Sequence, residues 1–139
     1  MPVAVGLYRW AATRPHLIPL GIDVHIGSQI VEPAPYKRAL RSVLEVVHLL
    51  RKEGIHLKYL DMGGGFGVPY TGEEMEIQAL ADAVLPLVKT TRLRLVLEPG
   101  RRIVGGSRRT SLAATKWSKR KLTKHSMKAL IFSIWLPRQ

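Results

Sequence analysis

The feature that most constrains the fold is an alternation of strand-like and helix-like segments through the middle of the chain. Segments 20–26, 57–62 and 93–97 are short and apolar, with β-branched residues or leucines, which indicates buried strands. Residues 36–53 and 73–89 repeat apolar positions every three or four residues, which indicates amphipathic helices. Strands that alternate with helices form a parallel sheet with right-handed crossovers. The sequence therefore predicts an α/β fold.

Prolines and glycines set the expected limits of the helices. Pro33 and Pro35 introduce the first helix, and Gly54 ends it as a glycine just past the helix end. Pro86 lies inside the second helical pattern and is expected to break or kink its last turn, because proline donates no backbone hydrogen bond. The segment before the first strand is ambiguous, although residues 5–12 fit part of a helix.

Composition narrows the class of protein. The chain has no cysteine, which excludes a disulfide scaffold and a cysteine-based metal site and fits a reducing compartment. The first residues lack the pattern of a signal peptide, so a cytoplasmic location is expected. No metal site is expected, because four of the five histidines have no partner at a metal-binding spacing: His16, His48, His56 and His125.

The net charge of +12 is typical of nucleic-acid-binding proteins, but it is concentrated at one end of the chain. Residues 1–106 hold 13 Lys and Arg and all ten Asp and Glu, whereas residues 107–139 hold nine Lys and Arg and no acid. The sequence therefore divides into an α/β part, residues 1–106, and a basic tail, residues 107–139, which is expected to be irregular or helical.

Three loops with ligand-binding residue types follow the three predicted strands. Ligands of parallel α/β sheets bind at the carboxyl ends of the strands. Loops 25–28, 63–67 and 98–101 are therefore expected to line one edge of the sheet.

The second loop is a glycine run, Gly63, Gly64 and Gly65, followed by Gly67. Without side chains, backbone N–H groups can approach an anion closely and point at it together, which suits a phosphate group. The alternative is a tight turn that needs glycine for a positive φ. The run differs from the dinucleotide-binding fingerprint, because no helix begins inside it.

The other two loops carry four polar side chains of chemical interest. His25 suits stacking on a planar ring or proton transfer, and Ser28 can donate its hydroxyl to a phosphate oxygen. Glu98 can keep a pyridine nitrogen protonated, and Arg101 can bind phosphate or carboxylate through two hydrogen bonds. Taken singly, each has a structural alternative: contacts with nearby backbone for the first two, and a surface ion pair for the others.

Taken together, the three loops resemble those of a known family. Gly-Ile-Asp-Val-His-Ile-Gly-Ser-Gln at 21–29, Leu-Asp-Met-Gly-Gly-Gly-Phe-Gly-Val-Pro-Tyr at 60–70 and Leu-Glu-Pro-Gly-Arg at 97–101 occur in order and at matching separations. They resemble the barrel domain of the pyridoxal-phosphate-dependent decarboxylases of diaminopimelate, ornithine and arginine, which is related in fold to alanine racemase. The first two motifs are most similar to the diaminopimelate decarboxylases, and the resemblance covers about residues 5–106.

The resemblance implies a fold and a function. The fold is a partial (β/α)8 TIM-type barrel of about three βα units, because 139 residues are too few for a complete barrel of roughly 250. Three units cannot close a barrel, so the outer strands are expected to have unpaired edges. The implied parent activity is decarboxylation of meso-diaminopimelate to lysine in lysine biosynthesis, with ornithine or arginine as alternative substrates. The intact family members are homodimers.

The resemblance also implies roles for individual residues. His25 matches the histidine that stacks on the pyridine ring of pyridoxal 5′-phosphate, and Glu98 matches the acid that holds the ring nitrogen. Arg101 matches the arginine near the phosphate and the substrate carboxylate, in a loop shaped by Pro99 and Gly100. The phosphate is expected to contact Ser28, Gly63, Gly64 and Gly65.

Two parts of the family's active site are expected to be missing. The family forms its Schiff base through a lysine on an earlier barrel strand, and no lysine of this chain lies in a matching motif. The family's C-terminal domain supplies a cysteine and a tyrosine, whereas this chain has no cysteine and its tail does not resemble that domain. We therefore expect no catalytic residue here and negligible decarboxylation by the chain alone.

The tail leaves three alternatives open. A change of reading frame or a misjoined gene model near Gly106 would make it foreign to the family, which is the interpretation we favour. It is otherwise a solvated, disordered segment. The third alternative is binding of nucleic acid or an anionic membrane, in which residues 129–136 form an interfacial helix beside basic residues 116–128.

Overall fold

The computed structural model describes residues 2–70, 72–105 and 129–135. It confirms the predicted alternation of helices and strands. In chain order the elements are helix α1 (Pro2–Ala12), strand β1 (Ile18–His25), helix α2 (Pro33–Lys52), strand β2 (Tyr59–Asp61), helix α3 (Ile77–Lys89), strand β3 (Arg94–Val96), helix α4 (Gly100–Val104) and strand β4 (Ala129–Trp135).

The four strands form one parallel sheet in the order β3-β2-β1-β4. Ile22 of β1 lies opposite Leu60 of β2, which lies opposite Leu95 of β3. Because β1, β2 and β3 are connected by α2 and α3, they form two successive βα units and the strand of a third. The predicted partial α/β barrel is therefore confirmed.

One hydrophobic core joins the sheet to the three longer helices. Ile22 and Leu60, which share a row of the sheet, are fully buried together with Tyr8 of α1 and Leu40 of α2. Val84 of α3 belongs to the same cluster. These helices therefore pack on the face of the sheet that Ile22 and Leu60 occupy.

Local hydrogen bonds explain where the helices begin and end. After α2, the Gly54 N–H donates to the Arg51 carbonyl at 3.1 Å and the Ile55 N–H donates to the Leu50 carbonyl at 2.9 Å. These two bonds form a Schellman motif, so Gly54 ends this helix as predicted.

Helix α3 begins later than predicted but ends at the predicted residue, Lys89. It begins at Ile77 instead of residue 73, because Met75 is buried outside the helix and its N–H donates to the Gly67 carbonyl at 3.1 Å. It continues through Pro86 to Lys89, so the expected break at this proline is wrong. The N–H that Pro86 lacks would have bonded the Asp82 carbonyl, and both residues are exposed, so water can hydrate that carbonyl instead.

Part of the tail corrects the sequence-based expectation. Residues 129–135, predicted as irregular or as part of an interfacial helix, form β4 and pair with β1 from Ile18↔Ala129 to His25↔Trp135. The segment Ala-Leu-Ile-Phe-Ser-Ile-Trp is rich in β-branched and aromatic residues, and β1 supplies backbone partners for it. The edge of β1 that was expected to be unpaired is therefore paired. Residues 106–128 and 136–139, with the predictions made for them, lie outside the described residues.

The described residues give no sign of a membrane span or a metal cluster. Among them, no helix combines the length and apolar character needed to cross a bilayer. Within the same ranges, His, Asp and Glu nowhere gather in threes as a metal ion would require.

Candidate functional site

The three strand-end loops meet at one edge of the sheet, as predicted. The Glu98 N–H after β3 donates to the carbonyl of Gly63 after β2 at 2.8 Å. The Ile30 N–H after β1 donates to the carbonyl of Gly65 at 2.9 Å. The glycine run after β2 therefore lies between the other two loops and is hydrogen-bonded to both.

The packing around this run excludes side chains. A Cβ atom on Gly64 would lie 2.1 Å from the Glu98 carbonyl oxygen, and one on Gly65 would lie 2.0 Å from the Gly27 carbonyl oxygen. Gly63 and Gly65 also have φ angles of 64° and 83°, a region that L side chains rarely adopt. The structure thus requires glycine here for both reasons, close approach and positive φ.

Two side chains form hydrogen bonds with the backbone of the glycine run. The Asp61 carboxylate accepts the Gly63 N–H at 2.8 Å, in the Asx-turn arrangement. The Tyr36 hydroxyl, from the first turn of α2, donates to the Gly64 carbonyl at 2.8 Å. Tyr36 is buried beside Phe66, with ring centroids 5.4 Å apart, and its burial raises the pKa of the Tyr36 hydroxyl. This hydroxyl therefore stays protonated and remains a donor at neutral pH.

Two backbone donors of the run have no partner among the described residues. The Gly63 N–H is bonded to Asp61 and the Gly67 N–H to the Ile30 carbonyl. By contrast, the N–H groups of Gly64 and Gly65 make no hydrogen bond within the described part of the chain. Adjacent free N–H groups on a turn of this kind are suited to an anion.

The structure brings the predicted polar residues to the same edge. His25 ends β1 next to Gly63, with its Nδ1 2.8 Å from the position that a Gly63 Cβ would take. The guanidinium of Arg101 contacts the hydroxyl of Ser28, so the first and third loops also meet through side chains. Glu98 is exposed at the start of the third loop. Pro99 caps helix α4, and Gly100 is its first residue.

Three further residues shape this edge, and none of them was predicted from the sequence. Tyr36 lies in the amphipathic pattern of α2, where an aromatic residue ordinarily belongs to the hydrophobic core. Asp61 stands two residues before Gly63, and an acid at that spacing from a glycine turn is a recognisable Asx-turn pattern. Arg102, which contacts Glu74 and the Gly67 carbonyl, has no sequence pattern that distinguishes it from a solvated arginine.

The described lysines lie mostly away from this edge. Lys52 and Lys89 end helices α2 and α3, and Lys58 precedes β2, so all three are at the amino edge of the sheet. Lys37 is in the second turn of α2 and half-buried. No lysine of the described residues therefore extends from the end of a strand.

Comparison with known proteins points to one family. Residues 3–105 match the family described as "Pyridoxal-dependent decarboxylase, pyridoxal binding domain". Diaminopimelate decarboxylase of Neisseria meningitidis serogroup A is 46% identical over 105 residues, which are 75% of this chain and 26% of that protein.

Solved structures agree with the sequence match. Diaminopimelate decarboxylase from Helicobacter pylori, complexed with L-lysine, has a TM-score of 0.70 and 32% identity over 73% of this chain and 26% of its own. A lysine/ornithine decarboxylase from Vibrio vulnificus, complexed with putrescine, has a TM-score of 0.55 and 31% identity over 60% of this chain and 24% of its own. The chain thus spans about a quarter of the length of the proteins that it matches.

Proposed function

The chain belongs to the pyridoxal-dependent decarboxylases, over their pyridoxal-binding domain, and we propose that its strand-end loops hold the phosphate and ring of pyridoxal 5′-phosphate. The observation that carries the proposal is the glycine run. Gly65 is adjacent to Ser28, with 3.3 Å between the position of a Gly65 Cβ and the Ser28 Cα, and Ser28 in turn contacts Arg101. Backbone N–H groups, a hydroxyl and a guanidinium on neighbouring loops suit an anion.

The residues present fit this cofactor. A dianionic phosphate needs donors and positive charge, which Gly64, Gly65, Ser28 and Arg101 offer together. The planar ring needs a flat neighbour, which the imidazole of His25 offers beside Gly63. We assign the phosphate to the first group and the ring to His25, and we place Glu98 at the ring nitrogen.

The proposed chemistry follows from the cofactor and from these side chains. Bound pyridoxal phosphate supplies an electron-poor ring that accepts the electron pair left when an α-carboxylate departs as carbon dioxide. The carboxylate of Glu98 favours the protonated ring nitrogen, because an adjacent negative charge stabilises a positive one. Arg101 neutralises the phosphate and can orient the substrate carboxylate, and Pro99 and Gly100 shape the loop that carries it.

Binding of pyridoxine 5′-phosphate tests the proposal directly. This compound lacks the aldehyde, so it cannot react with surface lysines and reports the site alone. We expect measurable binding by calorimetry, and R101Q should weaken it by about tenfold or more, the size expected for a lost charge-assisted contact.

The matched control for this titration is R41Q, which removes the same charge from an exposed position on α2. It should bind as the unaltered chain does. Pyridoxine without phosphate should bind far more weakly, because it lacks the anion. Equal binding of the two compounds, or equal losses in R101Q and R41Q, would contradict a phosphate site.

We propose meso-diaminopimelate as the substrate of the intact protein, with lysine as the product, over ornithine or arginine. The support is the similarity to diaminopimelate decarboxylases, which exceeds that to the lysine/ornithine enzyme in TM-score. The chain alone is proposed to be inactive, because no strand-end lysine is present among its described residues.

A chimera tests the substrate and the inactivity together. Residues 3–105 would replace the matching segment of the Neisseria enzyme, which supplies the rest of the protein. We expect the chimera to release carbon dioxide from meso-diaminopimelate faster than from ornithine or arginine. The isolated chain with pyridoxal phosphate should release no more than free cofactor does. Preference for ornithine, or release by the isolated chain, would overturn the corresponding part of the proposal.

Three further properties stay predictions from the sequence. Homodimerisation is proposed for the intact protein through the family resemblance, and sedimentation would test it. A cytoplasmic location is open to cell fractionation. A role of the basic tail in binding nucleic acid or anionic membranes is tested by salt-dependent binding that is lost when residues 107–139 are deleted.

A further inference from the structure

Helix α4 carries Arg101 but has no buried residue of its own. It spans only five residues, Gly100–Val104, so its backbone bonds alone give it little stability. A groove of about 420 Å3, lined in part by Val68, Tyr70 and Gly105, separates it from the loop that follows the glycine run. Polar side-chain contacts must therefore contribute much of what fixes the position of this helix.

Arg102 makes such contacts across the groove. One guanidinium nitrogen forms an ion pair with the Glu74 carboxylate and lies 3.5 Å from the Gly67 carbonyl oxygen. The Arg102 side chain is 28% exposed, so it lies partly within the groove that it spans. Glu74 precedes the buried Met75, whose N–H donates to the Gly67 carbonyl at 3.1 Å. Glu74, which pairs with Arg102, therefore neighbours a residue whose position is fixed by burial and by a backbone hydrogen bond.

Arg101 and Arg102 point to different loops. Consecutive residues of a helix are about 100° apart around its axis, so their side chains diverge. Arg101 contacts Ser28 in the loop after β1, whereas Arg102 contacts the loop between β2 and α3. Side chains of helix α4 thus contact two different loops.

We propose that Arg102 is a positioning residue, which with Glu74 fixes α4 so that Arg101 faces Ser28 and the glycine run. The proposal rests on the proposed function, because it assigns Arg101 to the phosphate. Arg102 acts through α4 and does not touch the ligand. A partly exposed ion pair adds little to overall stability, so its effect is expected in the local order of α4 and in ligand affinity.

Four variants test this role by titration with pyridoxine 5′-phosphate. R102A and E74Q should each weaken binding by about three- to tenfold, less than R101Q, because they disturb the orientation of a phosphate ligand without removing it. R102K keeps the positive charge and can reach Glu74 with a single point contact, so its affinity should fall between those of R102A and the unaltered chain. R9A removes the exposed ion pair between Arg9 and Glu53, on α1 and after α2, and should bind normally.

Hydrogen exchange of the ligand-free chain supplies the second measurement. Backbone amides of residues 101–105 should exchange faster in R102A and E74Q than in R9A, while those of β1 and β2 stay unchanged. If R102A and E74Q exchange faster but bind normally, the positioning role is wrong. If their exchange is unchanged, the Arg102–Glu74 contact does not fix α4. If the unaltered chain fails to bind pyridoxine 5′-phosphate, the proposed function fails, and exchange alone still decides whether Arg102 fixes the helix.

Discussion

Two buried tyrosines make the same kind of hydrogen bond in different places. The Tyr36 hydroxyl donates to the Gly64 carbonyl at 2.8 Å, and the Tyr8 hydroxyl donates to the Gly21 carbonyl at 2.7 Å. Both side chains are at most 1% exposed. Only the Tyr36 bond ends on the glycine run. Comparing the two tyrosines therefore distinguishes an effect on the candidate site from an effect on the fold as a whole.

Replacing Tyr36 by phenylalanine should weaken binding of pyridoxine 5′-phosphate. The variant keeps the ring beside Phe66 but leaves the Gly64 carbonyl without its donor, so the run is free to shift. Y36F and Y8F should each lose about 1 kcal/mol of unfolding free energy, the usual value of one such bond. Only Y36F should lose affinity, by about three- to tenfold.

The pH dependence of stability gives this prediction a second measurement. Burial raises the pKa of the Tyr36 hydroxyl above its value in the unfolded chain, about 10. The stability that this neutral group contributes is therefore full below about pH 10 and is lost as the pH rises further. Y36F should remove that alkaline loss. Equal affinity losses in Y36F and Y8F would show a general effect of weakened folding instead of a local one.

Residue types together with the family resemblance suggested the polar members of the candidate site, but not the side chains that support them. A histidine, serine, glutamate and arginine at strand ends suggest chemistry wherever they occur, and the family resemblance gave them roles. The parts of Tyr36 and Asp61 depend on which carbonyl and which N–H lie beside them. For Asp61 the spacing to Gly63 is a signal that the sequence does contain, whereas the bond of Tyr36 to Gly64 becomes visible only when the turn of the glycine run is known.

At the scale of elements, the strand and helix patterns were sufficient where local and tertiary preferences agree. Helix α2 has both an apolar face and a glycine stop, and its end was predicted within one residue, Glu53 against Lys52. Helix α3 begins four residues later than its pattern suggested, because burial of Met75 and the Arg102–Glu74 pair hold the preceding segment as a loop. Tertiary contacts thus override a helical pattern at its end.

Strand β4 shows the same principle in reverse. Its seven residues were predicted as irregular or, in the membrane-binding alternative, as part of an interfacial helix, although their β-branched and aromatic side chains also suit a strand. Pairing with β1 along seven residue pairs decides in favour of the strand. A partner that is distant in sequence thus selected the strand, a choice that the composition of the segment leaves open.

At the scale of the molecule, the described helices cover one face of the sheet only. The core rows of β1 and β2 contain Ile22 and Leu60, whereas the next row contains Asp23, Asp61 and Val96. Since side chains alternate along a strand, this second row faces away from the helices. In a closed barrel that face is interior, and here no described helix covers it.

The exposed apolar surface of α1 adds to this incomplete burial. Val3, Leu7 and Trp10 lie along one stripe of the helix and are 75%, 45% and 50% exposed. Because no described helix packs on the second face of the sheet, that face adds no helix-covered apolar area to the core, which limits the cooperativity of unfolding. We therefore expect the isolated chain to melt over a broad temperature range and to associate as its concentration rises.

Calorimetry and light scattering over a range of concentrations would check this expectation. Replacing Leu7 and Trp10 together by glutamine should reduce the scattering, because the stripe is then polar, and should leave the breadth of the transition unchanged. The breadth should persist because it comes from the uncovered sheet face, which these substitutions do not alter. A sharp, concentration-independent transition of a monomer would contradict the prediction, and would mean that two βα units with their added strands suffice as a cooperative unit.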